Sequence, residues 1–192
     1  MPADSDVDPH AAVMNTVSGR QFSPFDPSPA DVALEDIAHG LSHICRCSGQ
    51  VRQFYSVGLH SLYVSRNLRE GDAGPRVQLY GLLHDAAEAY VSDVVAPVKR
   101  HLDGYQRLED EVLAAVWTAF DLPGPTDREW QAVEAADRRL RRYELDTLLP
   151  EVVDGEVPPL GYDLDADANR DVADAFADRA QTLVGRTDAT LP

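Results

Sequence analysis

Four residues whose chemistry suits a metal ion stand in stretches that otherwise look like protein interior. His60 lies among Val57, Leu59 and Val64; His84 and Asp85 separate Leu82–Leu83 from Ala86–Ala87; Asp137 follows Ala135 and Ala136. Burying a neutral polar group without a partner costs about 2–7 kcal/mol, and an isolated carboxylate costs more. One divalent cation held by two imidazoles and two carboxylates would satisfy all four residues together. A mixed nitrogen and oxygen set of this kind suits Mn²⁺, Co²⁺, Fe²⁺, Ni²⁺ or Zn²⁺. Each residue also has a plainer reading. A histidine on an apolar face is often a core residue with its own hydrogen-bond partner, and Asp137 has Arg138, Arg139, Arg141 and Arg142 close by to pair with. The adjacent pair His84–Asp85 is harder to explain in that way. Neighbouring helical residues differ by about 100° in direction, so both reach one ion only if it sits against their helix.

The elements that must position these residues read as helices. Leu34, Ile37, Leu41 and Ile44 recur at helical spacing, and the segment Ser56 to Leu68 puts Val57, His60, Val64 and Leu68 on one face. A third segment, from about Pro75 to Val91, is strongly apolar, and a loop through Pro97 follows it. Tyr105 to Phe120 carries Leu108, Val112, Ala115, Val116 and Ala119 in a helical stripe that Pro123, Gly124 and Pro125 bring to a stop. Thr126 and Glu129 form a capping box for the next helix, which runs through Ala132, Ala136, Leu140 and Tyr143 to Leu148. A loop with Pro158, Pro159 and Gly161 leads to a last amphipathic helix near Ala168–Val184. Strand-like alternation is nowhere sustained and no internal repeat is found. The expectation is an all-α helical bundle over residues 31–186, preceded by an extended Pro- and Asp-rich arm over 1–30 and followed by a tail over 187–192.

Composition bounds the function classes. Of 192 residues, 33 are acidic and 17 basic, a formal charge of −16, and Lys99 is the sole lysine. So acidic a surface repels nucleic acid polymers and anionic membranes, and resembles proteins that work in concentrated salt. The opening MPADSDVDPH lacks the basic and apolar regions of a secretory signal, which sets the expectation of a soluble, cytoplasmic protein. Cys45 and Cys47, one residue apart, point to different sides of a helix or turn and are not expected to bridge.

The ordered set His60, His84-Asp85 and Asp137 resembles the H…HD…D pattern of the HD superfamily of metal phosphohydrolases. EDIAHGLSHICRCSGQ, FYSVGLHSLYVS, LLHDAAEAYVSDVVAPVK and YQRLEDEVLAAV are similar, in order and rough spacing, to the branch that holds bacterial 5′-deoxynucleotidase and phage deoxynucleoside triphosphatases. The matching stretch runs from about Glu35 to Glu144. The resemblance implies an all-α HD-domain bundle with a metal site in its core and a resident divalent metal (Mn, Co, Fe, Ni, Zn or Mg). Position by position, it implies that His60, His84, Asp85 and Asp137 are the metal ligands and that Glu88, four residues after His84, is the catalytic glutamate. It implies further that Arg46 and Lys99 contact phosphate and that Asp93 meets the sugar 3′-hydroxyl. Three features depart from that branch, the third being the segment SHICR. Leu59 stands before the first ligand where Glu or Gln is usual, and Cys47 follows Arg46 where Trp or Phe shapes the sugar or base site; His43 receives no role.

The expected activity is removal of phosphate from a (deoxy)nucleoside 5′-monophosphate, a small-molecule substrate. The rival within the superfamily releases triphosphate from a dNTP, and a rival of another class is a metal- or nucleotide-binding regulator without turnover. The resemblance also implies homo-oligomers, for which the apolar face of Tyr105–Phe120 or the C-terminal helix would serve as interface.

Overall fold

The computed structural model describes residues 12–149, 156–167 and 171–192. Two helices carry most of the chemistry, and both start where the sequence supplies a cap. In α2 (Val57–Glu70) the Ser56 side chain accepts from the Leu59 amide, and Gly71 ends the helix. In α7 (Asp127–Leu148) the Thr126–Glu129 capping box is present in both directions, with the Glu129 carboxylate accepting from the Thr126 amide at 2.9 Å. The buried face of α7 reads Val133, Ala136, Leu140, Glu144, Leu148, a stripe at three- and four-residue spacing with a carboxylate in it.

Around these stand α1 (Leu34–His43), α3 (Pro75–Leu83), α4 (Glu88–Val91), α5 (Ala96–Lys99), α6 (Tyr105–Ala119), α8 (Leu164–Asp167) and α9 (Val172–Val184). Helix α2 packs against α3, α7, α1 and α9, so it runs through the centre, and α1 closes on α9 and α4. The architecture is an all-α bundle. At Gly40 on α1 an added Cβ would lie 3.0 Å from Ala89 Cβ and 3.1 Å from the Ala89 carbonyl oxygen. Glycine at that point lets α1 approach the backbone of α4 closely.

The third segment is not one helix. Helix α3 stops at Leu83, residues 84–87 are turns, and α4 starts at Glu88. The Gly81 carbonyl, which an uninterrupted helix offers to the Asp85 amide, receives Nδ1 of His84 at 2.9 Å. The amides of Ala86 and Glu88 then bond to the carbonyls three residues back, Leu83 and Asp85, each at 2.9 Å. This tighter winding sets Glu88 one turn on from Asp85 rather than on the His84 face.

The stretch before residue 31, expected as an extended arm, is in its described part a short hairpin fastened to the bundle. β1 (Met14–Asn15) pairs antiparallel with β2 (Gln21–Phe22), and Gly19 takes φ 82° in the connection. Phe22 is fully buried and stacks on Tyr90 of α4 with ring centroids 3.9 Å apart. The amide and hydroxyl of Ser18 both donate to the buried Asp36 carboxylate at 2.8 Å. A 3₁₀ turn over Pro29–Asp31, capped by Ser28, then leads into α1. At the other end, Thr190 of the expected tail donates its amide to the Phe120 carbonyl at 2.9 Å. The expected start of the last helix at Ala168 lies outside the described residues, as do residues 1–11. Cys45 and Cys47 are free thiols.

Candidate metal centre

Helix α2 presents His60, the turn after α3 presents His84 and Asp85, and the middle of α7 presents Asp137. One ligand atom from each of His60, His84 and Asp85 lies within 4.8 Å of the others. Their meeting point is Asp85 Oδ2, 3.2 Å from His84 Nε2 and 3.8 Å from His60 Nε2. Asp137 joins through His60: its Oδ1 is 3.2 Å from the same Nε2, while its Oδ2 accepts from Arg141 one turn on. Of the four expected ligands, three converge directly. The fourth is shared with the arginine that the plainer reading of Asp137 called for.

The far sides of both imidazoles are tied to acceptors. A carbonyl only accepts, so His84 Nδ1 carries the hydrogen given to Gly81. His60 Nδ1 lies 2.7 Å from Glu144 Oε1 and donates to it. This leaves both Nε2 atoms facing the carboxylates, buried and without a hydrogen-bond partner. Two imidazole nitrogens that face carboxylate oxygens at 3.2 Å without hydrogen-bond geometry, each backed by an acceptor on its other side, are the arrangement found behind histidine metal ligands. A divalent cation fits this donor set of two nitrogens and two carboxylates.

Glu144 is the residue that sequence reasoning missed. It is 4% exposed. Its Oε1 accepts from both His60 and the Tyr55 hydroxyl (2.6 Å), and its Oε2 lies 3.5 Å from Arg46 Nε. Despite burial, His60, Arg46 and Tyr55 hold this carboxyl below its ordinary value. The signal was its place in the α7 stripe, four residues after Leu140 and four before Leu148. Glu109 is a second case, 8% exposed on the inner face of α6 and 2.7 Å from Lys99 Nζ.

Arg46 bridges the two halves of the site, with Nη1 3.4 Å from Asp85 Oδ2. Its backbone is pinned by the amide bond to the Tyr55 carbonyl at 2.9 Å, and Cys47, Ser48 and Gly49 follow with φ 55°, 53° and 75°. Burial works against its charge, but Glu144, Asp85, Glu88 and Asp93 outweigh that and raise it. Burial also works against the Asp85 and Asp137 carboxylates. His84, His60 and Arg46 overcome it for Asp85; His60, His84 and Arg141 do so for Asp137; both are held well below the carboxylate range.

Glu88 moves the other way. Burial, then Asp85 and Asp93, push it well above its ordinary value against Arg46 and Lys99. It is 6% exposed, Oε1 is 4.0 Å from Lys99 Nζ, and Oε2 has no hydrogen-bond partner. Lys99, expected to contact phosphate, is engaged by Glu109 and lies over the Tyr105 ring. Asp93 follows Ser92, whose φ 72° and ψ 161° form a backbone conformation that costs on the order of 1–3 kcal/mol outside glycine. The Tyr105 hydroxyl holds that turn by donating to the Ser92 carbonyl at 2.7 Å. A small, mostly apolar cavity of about 60 Å³ opens beside Arg46 and Glu144, walled by Cys47, Val51, Tyr55 and Leu148. Leu59 is 1% exposed and sits one residue before His60, in the α2 turn that Ser56 caps.

No family model matches the chain. Over 138 residues it is 39% identical to the uncharacterized protein RCAP_rcc00048 of Rhodobacter capsulatus, a match covering 67% of this chain and 70% of that protein. The chain belongs to the family of that protein. It is also 36% identical over 110 residues to the uncharacterized protein YfdR of Escherichia coli, spanning 57% of this chain and 59% of YfdR. Neither name states an activity. Among the described residues no helix is long and apolar enough to cross a membrane.

Proposed function

We propose that this chain is a divalent-metal-dependent phosphohydrolase of the HD type that removes phosphate from (deoxy)nucleoside 5′-monophosphates. One observation carries the reading: two buried imidazoles turn unpartnered Nε2 atoms toward a single carboxylate oxygen, with their other nitrogens locked as donors. The surrounding charge agrees. Asp85, Asp137 and Glu144 are held ionised around the two imidazoles, with Arg46, Arg141 and a His60 proton that an entering ion would replace beside them.

His60, His84, Asp85 and Asp137 would hold the ion, which when bound polarises a phosphoryl oxygen and acidifies water. The protein's own groups account for the rest. Water adds its oxygen to phosphorus as the bond from phosphorus to the 5′-oxygen breaks, and the nucleoside leaves as the alcohol once its 5′-oxygen receives the proton that Glu88 has taken from the water. Glu88, with a free Oε2 and an affinity for protons raised by burial and Asp85, takes up the proton that water loses. Arg46 supplies a fork of donors for the phosphate oxygens. Lys99, held near Glu88 by Glu109, supplies a second positive charge at the same mouth.

The test is a product assay in Mn²⁺ or Co²⁺ over dNMPs, NMPs and dNTPs with an EDTA control. Chelator-sensitive inorganic phosphate from monophosphates is the expected result, and Glu88→Gln should lower kcat by about 10²–10⁴ while metal stoichiometry stays unchanged. Intact triphosphate from dNTPs would move the assignment to triphosphohydrolase. Metal binding with no turnover on any substrate would leave a regulator.

A further inference from the structure

On the side of α2 turned toward α9 lies a groove of about 320 Å³ whose chemistry the metal centre does not use. Arg66, Arg69 and Arg179 line it together with Asp178, Leu59 and Thr182. In a chain of charge −16, a place where three guanidiniums meet one carboxylate is against the trend of the whole surface. Arg66 has an acidic partner, Glu70, at 2.9 Å on its own helix. Among the described residues, Arg69 and Arg179 form no salt bridge.

Arg179 is built in rather than loosely placed. Its Nε donates to Ser65 Oγ at 3.2 Å and one Nη2 hydrogen goes to Gln78 Oε1 at 2.6 Å. Ser65 is fully buried and Gln78 is 4% exposed, and the Gln78 amide nitrogen is itself tied to the Ala73 carbonyl. Two neutral, buried groups therefore fix the plane of the guanidinium without neutralising it. Three of its five donors remain for the groove. Burial, then the positive charges of Arg69 and Arg186, lower the Arg179 pKa, so its charged form is held at a cost that an anion would remove.

We propose that this groove is a second anion site, which takes a phosphate group on the fork of Arg179 with Arg69 and Arg66 closing over it. Planar guanidinium forks match phosphate oxygens in pairs, and a volume of this size admits a small phosphorylated molecule or the free ion rather than a polymer. The site is distinct from the metal centre and shares two helices with it. Helix α2 carries Leu59, Arg66 and Arg69 on the groove and His60 at the candidate metal centre, and α3 carries Gln78 and leads to His84.

The experiment uses full-length protein carrying His84→Ala, which removes phosphate held through an ion, while Arg46 and Lys99 stay in every variant so that only binding lost with the groove arginines is read. Inorganic phosphate, pyrophosphate, a nucleoside monophosphate and a nucleoside triphosphate are titrated by calorimetry at fixed chloride. Saturable one-to-one binding of at least one anion is expected, weakened at least tenfold by Arg179→Gln and again by Arg69→Ala. Arg69 is exposed, so its variant keeps the test alive should Arg179→Gln unfold, which circular dichroism reports. Equal affinities for phosphate and nucleotide identify the free ion as ligand, and tighter nucleotide binding identifies a nucleotide phosphate. No binding, or binding unchanged in the Arg69 variant, overturns the proposal.

Discussion

Glu144 orients His60 through one oxygen shared with the Tyr55 hydroxyl, so its removal tests whether the imidazole is a ligand or a satisfied core residue. If His60 binds an ion, Glu144→Gln should cost about 10–100-fold in metal affinity, as loss of a carboxylate behind a ligating histidine does. A competition assay against a metallochromic dye would read this, and an unchanged affinity would count against His60 as a ligand. The same histidine makes a pH prediction. Burial and Arg46 pull its pKa down, but Glu144 and Asp137 outweigh them and lift it to about 9 without a cation. At pH 7 the cation-free His60 is therefore an imidazolium whose Nε2 proton stands where an ion would bind. Asp85 and Asp137 are already ionised there, so an entering ion displaces about one proton from His60. Affinity should rise about tenfold per pH unit from 6.5 toward 9 and then level. Calorimetry in two buffers of different ionisation enthalpy at pH 7 should show that proton leaving; pH-independent affinity would contradict the shift. The His84–Asp85 pair was legible because both residues break an apolar run. Glu144 and Glu109 were not, because each occupies a helical core position and sits amid charged neighbours in sequence, where periodicity alone reads a solvated face.

Helix caps and apolar stripes placed the large elements. Ser56, Pro75 and the Thr126–Glu129 box each mark a helix start that the structure has. The break at residues 84–87 was not readable, because its cause is a side chain taking a backbone acceptor, and nothing in an apolar run records which carbonyl a histidine will choose. The hairpin before α1 was hidden for a similar reason. Its strands are two residues each, too short for alternation, and it is held by Phe22 on Tyr90 and Ser18 on Asp36. That attachment yields a prediction on this element. Phe22→Ala removes a fully buried ring and should lower stability by about 3–5 kcal/mol, read as a fall in the urea midpoint. A loss below about 1 kcal/mol would mean that the hairpin unfolds apart from the bundle. Because Tyr90 lies two residues after Glu88, a milder Phe22→Leu should also change kcat if α4 needs that stacking to hold the glutamate.

Over the whole molecule the excess of 16 negative charges opposes compaction, and its effect depends on how far each charge is felt. The Debye length is about 10 Å at 0.1 M salt and about 3 Å at 1 M, so the higher concentration removes repulsion between neighbouring surface patches. Salt also weakens attractive pairs, but the exposed ones, such as Arg107–Glu111 and Arg138–Glu134, contribute little to stability because solvent already screens them. The charges that matter most to the site, Asp85, Arg46 and Glu144, are largely buried and less screened. Repulsion therefore dominates the balance, and the urea midpoint should rise between 0.1 and 1 M KCl with an unchanged slope. Potassium chloride is the salt to use, because sulfate stabilises folded proteins through exclusion whatever their charge. A midpoint that stays flat or falls in KCl would show that the acidic surface is already neutralised locally by its arginines, as at Arg76–Glu129 and Arg141–Asp137. A rise confined to the first few tenths molar would mark simple screening, because the Debye length changes most there. A continued rise beyond that range would point to ions bound at particular carboxylates.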